Sequence, residues 1–205
     1  MIVYDDGSTD NTVKILSKFP VKVIIGKKNK GIGFARNKLV EEANGKYLCF
    51  MSADDIMKPN YIEVMLETAK KHPNTILYCN YEVIDENGTI VNEVIAPIYD
   101  NYEDWVISNI IRAKSNTMCV CYNIFAPAKL LKENNFDKTL RYGEDLEHLL
   151  RCTLVKKIKY FNVDKFLFLY RTHMKATTTI KRNKIPENNK KIFKKINRML
   201  GRKVL

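Results

Sequence analysis

No apolar run in this chain approaches the roughly 20 residues needed to span a bilayer, so no transmembrane helix is expected. The first residues, Met1-Ile2-Val3-Tyr4-Asp5-Asp6, lack a basic region followed by a long apolar one, which is the mark of a secretory signal. Cysteine is sparse. The five, at positions 49, 79, 119, 121 and 152, form no CxxC pair and are odd in number. A cytosolic chain with reduced thiols is the expectation. Internal repeats are absent, and no low-complexity linker precedes Lys175. Acids are nearly missing from the C-terminus, where eleven Lys and Arg after Met174 face Glu187 alone. Ten of the twelve net positive charges therefore belong to that stretch, and the body is close to neutral. Nucleic acid is not an expected partner, because charge is its only support.

What remains is an ordinary globular composition. The 205 residues are 45% apolar and 28% charged, enough for one core, or one domain with an appendage. Short apolar runs alternate with helical patterns through the first 70 residues. Ile2-Val3-Tyr4, Val21 to Ile25 and Tyr47 to Met51 read as strands, with helices over Asn11 to Lys18 and Arg36 to Ala43. Ile62, Met65, Leu66 and Ala69 give the next helix one apolar face after Pro59. Ile76 to Ile84 and Thr89 to Ile95 form a predicted hairpin across Asp85-Glu86-Asn87-Gly88. A helix around Tyr102 to Ala113 and a strand around Met118 to Phe125 are expected next, then a helix after Pro127. Gly143-Glu144-Asp145 opens a helix with Leu146, Leu149, Leu150 and Leu154 inward, and the last strands cover Ile158 to Phe161 and Phe166 to Tyr170. This alternation predicts an α/β fold with a mainly parallel sheet flanked by helices.

Ligands of open α/β sheets bind beyond the carboxyl ends of the strands. Two acidic pairs lie at such ends, Asp5-Asp6 and Asp54-Asp55. Adjacent carboxylates repel unless a cation joins them, and Mg or Mn commonly bridges carboxylates to substrate phosphates. Each pair alone reads equally well as a helix cap or turn.

Together with their neighbours they carry a resemblance. Asp5-Asp6-Gly7-Ser8-Thr9-Asp10, Asn29 with Gly31 and Ala35-Arg36-Asn37, Gly45-Lys46-Tyr47 leading to Ala53-Asp54-Asp55, Tyr142-Gly143-Glu144-Asp145-Leu146, and Tyr170-Arg171-Thr172-His173 followed by Thr177 and Thr178 occur in that order. This series resembles the inverting family-2 glycosyltransferases of GT-A (Rossmann-like) fold, over residues 1–180. The resemblance implies that Asp6 contacts the nucleobase of a nucleoside-diphosphate sugar, with uracil expected, and that Arg36 and Ala53 face the nucleotide. It implies Asp54 as ligand of a Mn or Mg ion, His173 as a further metal or diphosphate contact, and Asp145 as general base. A glycan or glycolipid acceptor is the expected second substrate.

The chemistry demands these residue types. The leaving diphosphate gathers negative charge that a dication stabilises, and an acceptor hydroxyl needs a carboxylate to take its proton. Asp145 is suited by its place in a first helical turn, whereas Glu144 shares a face with His148 and Arg151 and is expected to pair on the helix surface. The chain departs from the family pattern twice. Ser52-Ala53-Asp54 lacks the leading acid of Asp-x-Asp, and the family's opening strand, Pro-Thr-Tyr-Asn-like loop and helix do not precede Met1. A truncated, non-catalytic binding module is the resulting alternative. Gly31-Ile32-Gly33 also hints at a dinucleotide fingerprint, but Arg36 occupies its third glycine position.

Residues 181–205 are expected to form a basic amphipathic appendage with Ile192, Phe193, Ile196, Met199 and Leu200 on one face. It fits either an anionic membrane or a docking site on its own domain or a neighbouring chain in an oligomer. The expected location is the cytoplasm, with peripheral attachment to the inner face of the membrane.

Overall fold

Residues 1–96, 124–174 and 184–201 are described in the computed structural model. The β-branched run Ile2–Asp5 (β1) pairs in parallel with Lys22–Ile25 (β2), across the short helix Thr12–Leu16 (α1). Ile32–Glu42 (α2) follows, then the strands Tyr47–Cys49 (β3) and Ile56–Met57 (β4) and the helix Tyr61–Lys71 (α3). Thr75–Ile84 (β5) and Ile90–Val94 (β6) form the expected hairpin. Phe125–Pro127 (β7) leads into Ala128–Glu133 (α4) and Glu144–Leu150 (α5), the latter continued by one π-helical turn, Arg151–Val155. Lys159–Arg171 (β8) and Ile185–Leu200 (α6) complete the described elements. The expected Tyr102–Ala113 helix, most of the Met118–Phe125 strand, and Thr177 and Thr178 lie outside the described residues.

The α/β expectation holds, with a mixed sheet. Six strands run in the order β3-β7-β5-β8-β4 with β6 on β5, and only β5 and β8 are parallel among them. β1 and β2 form a separate two-stranded sheet. An interruption thus separates it from the larger sheet. α2 spans it: the helix packs on β1, while its buried Val40 joins the cluster of Ile76, Ala126 and Leu131 that Leu48 and Phe50 border.

Two clusters form the rest of the core. Tyr61, Met65 and Ala69 of α3 pack on Leu77, Leu167 and Phe168 of the central strands. Ile62, expected inward, is 51% exposed, because Tyr61 takes the buried position beside it. The other cluster joins Leu146, Leu149, Leu150 and Leu154 to Ile192, Phe193 and Ile196. The C-terminal helix is thus part of the core and not an appendage to it. Periodicity identified Ile192, Phe193, Ile196 and Leu200 of this face, whereas Met199 is 46% exposed, and it cannot say what the face covers.

Candidate active site

Asp5 and Asp6 end β1 in different ways. Asp5 is buried and accepts from the Ser8 N–H at 3.2–3.3 Å, closing its own loop. Asp6 reaches across to the β2–α2 loop, where Lys30 N–H and Gly31 N–H donate to its two oxygens at 2.9 and 2.7 Å. The residue expected at the nucleobase therefore also shapes the loop around it. The second glycine of Gly31-Ile32-Gly33 is a packing requirement: a Cβ at Gly33 would lie 2.9 Å from the Asp137 carbonyl.

The second acidic pair divides its work. Asp55 is 6% exposed and accepts from the Arg171 N–H at 2.9 Å, and burial pushes its pKa up to about 6. Its Oδ2 finds no hydrogen-bond partner. Asp54 faces outward instead, with its side chain 41% exposed, and its Oδ2 meets His173 Nε2 at 3.1 Å. Ala53 beside it is exposed. The two side chains expected at a metal thus converge although 119 residues separate them. Arg171 fastens this corner, donating from Nε to the Asp54 carbonyl at 2.9 Å and from Nη1 to the Asp85 and Glu86 carbonyls at 2.9 and 3.1 Å. Sequence reasoning gave Arg171 no role, although it stands inside the Tyr-Arg-x-His segment.

Two donors do not complete a metal site. No group of three or more His, Cys, Asp or Glu suited to a metal occurs among the described residues. The Asp54 carboxylate suits Mn or Mg, with diphosphate oxygens and water in the remaining positions, while the His173 imidazole is a softer donor than these ions usually take.

Glu144 corrects one expectation, and Arg36 is its partner. Arg36 is 7% exposed and pairs with Glu144, Nη1 to Oε1 at 2.8 Å. Its guanidinium lies 5.7 Å from the Phe50 ring and 5.2 Å from that of Phe136. Glu144, expected on a helix surface, is 3% exposed, since every residue of α5 is buried. A helix enclosed on all sides shows no polar stripe, so the period of its leucines misplaces its other faces. The expected Glu144–His148–Arg151 face is divided. His148 stacks on Phe136 at 4.2 Å, while Arg151 pairs with Glu147 at 2.9 Å. Asp145 is 7% exposed, and its Oδ1 accepts from the Leu146 N–H at 2.7 Å.

Two groupings result, Asp54 with His173 and Arg36 with Glu144-Asp145. Phe50, on the segment running from β3 toward Asp54, borders the second. Arg141 Nη1 donates to Asn29 Oδ1 at 3.1 Å and draws the α5 approach to the loop that Asp6 holds.

Residues 1–133 match the family described as Glycosyl transferase family 2. Escherichia coli chondroitin synthase is 27% identical over 98% of this chain and 28% of its own length. The Escherichia coli UDP-Glc:alpha-D-GlcNAc-diphosphoundecaprenol beta-1,3-glucosyltransferase WfgD is 35% identical over 47% of this chain and 39% of its own. Among solved structures, S. aureus TarS 1-349 in complex with UDP-GlcNAc superposes with a TM-score of 0.72 at 20% identity, covering 100% of this chain and 58% of that one. The complex with UDP gives 0.71 at 19%, covering 100% and 56%. The chain thus spans well under two thirds of these relatives and solved chains.

Proposed function

The chain belongs to glycosyl transferase family 2, and from that premise we propose that it moves a sugar from a UDP-linked donor to a hydroxyl of a glycan or glycolipid, inverting the anomeric centre. The observation that carries this reading is the meeting of Asp54 and His173 at 3.1 Å. The solved complexes of TarS with UDP and UDP-GlcNAc support a uridine donor. Polysaccharide and diphosphoundecaprenol-linked products in the names of relatives support a surface-glycan acceptor.

In this reading Asp6 and the loop it braces receive the nucleobase, Ala53 lies along the nucleotide, and Asp54 and His173 hold a Mn or Mg ion against the diphosphate. When bound, that ion supplies Lewis-acid stabilisation of the leaving group. Asp145 accepts the proton of the acceptor hydroxyl as its oxygen bonds to the anomeric carbon. The bond from that carbon to the β-phosphate oxygen breaks, and the pair of electrons leaves with UDP. Attack opposite the leaving group inverts the centre.

The second substrate bears on location. Lys190, Lys191, Lys194 and Arg198 lie exposed on α6 while its apolar face is buried. A lipid-linked acceptor at the inner face of an anionic membrane would meet this cationic surface. No helix among the described residues is long and apolar enough to cross a membrane.

Calorimetry with UDP, with and without Mn, tests the site. Binding should strengthen with Mn and weaken on the order of tenfold in Asp54→Ala. Equal affinity in all four measurements would defeat the assignment.

A further inference from the structure

Arg36 and Glu144, 108 residues apart, meet with their side chains 8% and 3% exposed. Such a pair contributes little net stability, because desolvating both charges offsets their attraction. Direction is another matter. The guanidinium packs beside the Phe50–Phe136 pair, whose rings meet edge-to-face at 5.4 Å, and its partner is the residue immediately before Asp145.

The other side of the same segment is held by α6. Asn188 Nδ2 donates to the Tyr142 carbonyl at 2.8 Å. Gly143 follows at φ +75°, and a Cβ there would come within 2.6 Å of Asn188 Nδ2. The backbone of residues 142–145 is therefore gripped from α6 at one end and from α2 at the other. A shift of Glu144 carries Asp145 with it.

We infer that Arg36 and Glu144 are positioning residues: a buried pair that sets the Asp145 carboxylate, with neither side chain binding the donor. The inference rests on the proposed transfer reaction, in which Asp145 is the base.

Arg36→Met, Glu144→Ala and their double variant separate this role from donor binding. UDP affinity by calorimetry should stay within about threefold of the parent. Hydrolysis of UDP-GlcNAc should lose about 10- to 100-fold in kcat with little change in KM, as expected for a misplaced reacting group. The double variant should be no slower than the slower single one, because one contact is lost in all three. Glu144→Gln, which keeps an oxygen for Arg36, should recover most of the rate. Multiplying losses in the double variant would overturn the pair, as would UDP binding weakened by Arg36→Met but not by Glu144→Ala. If the parent neither binds UDP nor hydrolyses UDP-GlcNAc, the transferase reading fails by itself. Hydrogen exchange then decides the pair: the amides of residues 145–147 should lose protection in Arg36→Met and keep it in Glu144→Gln. Unaltered protection in Arg36→Met would reject the positioning role.

Discussion

For a single side chain, burial governs chemistry more strongly than motif position does. His148 is 2% exposed, and its Nε2–H donates to the Asn134 carbonyl at 2.7 Å. Burial, helped by the Arg151 cation, holds its pKa down to about 3. An unfolded chain protonates this histidine near 6.5, so the neutral ring's contribution is full above that pH and declines as pH falls toward 3. The slope is about 1.4 kcal/mol per pH unit. Asp55 and Glu144 act in the opposite sense. Burial raises them to about 6 and about 7, so their contributions are full at low pH and are lost as pH rises through those values. The parent curve mixes the three, and a variant isolates one. His148→Phe preserves a ring against Phe136 and cannot titrate. In urea unfolding, the parent should lose about 2 kcal/mol relative to this variant between pH 7 and pH 5. A constant difference would remove His148 from the linkage. Asp54 and His173 were legible at this scale because their motifs fixed their order. The Arg36–Glu144 pair was not, since nothing in either local pattern joins residues so far apart.

Elements were readable where one face was covered and obscure where two were. The alternation up to α3 and the β5–β6 hairpin follow from periodicity and turn residues. β8 was expected as two strands because Asp164-Lys165 interrupts its apolar run, yet it is one 13-residue strand, with the register shifting opposite Cys79 and Asn80. α5 lost its surface because α2 and α6 both press upon it. For α6 the sequence specified an amphipathic helix and left its partner open. Lys195 decides the orientation, since its Nζ lies 2.6 Å from Asp137 and 2.7 Å from the fully buried Glu147. Burial of the apolar face has a measurable consequence. Ile196 is completely buried, so Ile196→Ala should cost roughly 2–5 kcal/mol in urea unfolding. Stability unchanged by that substitution would mean that the helix is undocked in solution.

At the scale of the molecule, specific contacts join the β1–β2 pair to the larger sheet and to the helices around it. α2 bridges the two sheets, Arg141 ties the α5 approach to Asn29, and α6 closes behind residues 142–145. This arrangement limits how the chain can meet a membrane. A docked helix with Ile192, Phe193 and Ile196 in the core cannot insert them into lipid, so its attachment depends on its exposed cations. Lys190, Lys191, Lys194 and Arg198 each contribute about 1 kcal/mol near an anionic surface at most, and salt screens that attraction within about 8 Å at physiological strength. Flotation with phosphatidylglycerol vesicles should therefore recover the chain at low salt and release it near 0.5 M salt, where screening is stronger. Vesicles of phosphatidylcholine alone should not bind. Replacing the four cations by Gln should abolish flotation and leave the melting temperature unchanged, because none of them belongs to the core cluster. Retention at high salt, or on neutral vesicles, would show that apolar insertion governs attachment and that α6 leaves its docked position at the membrane.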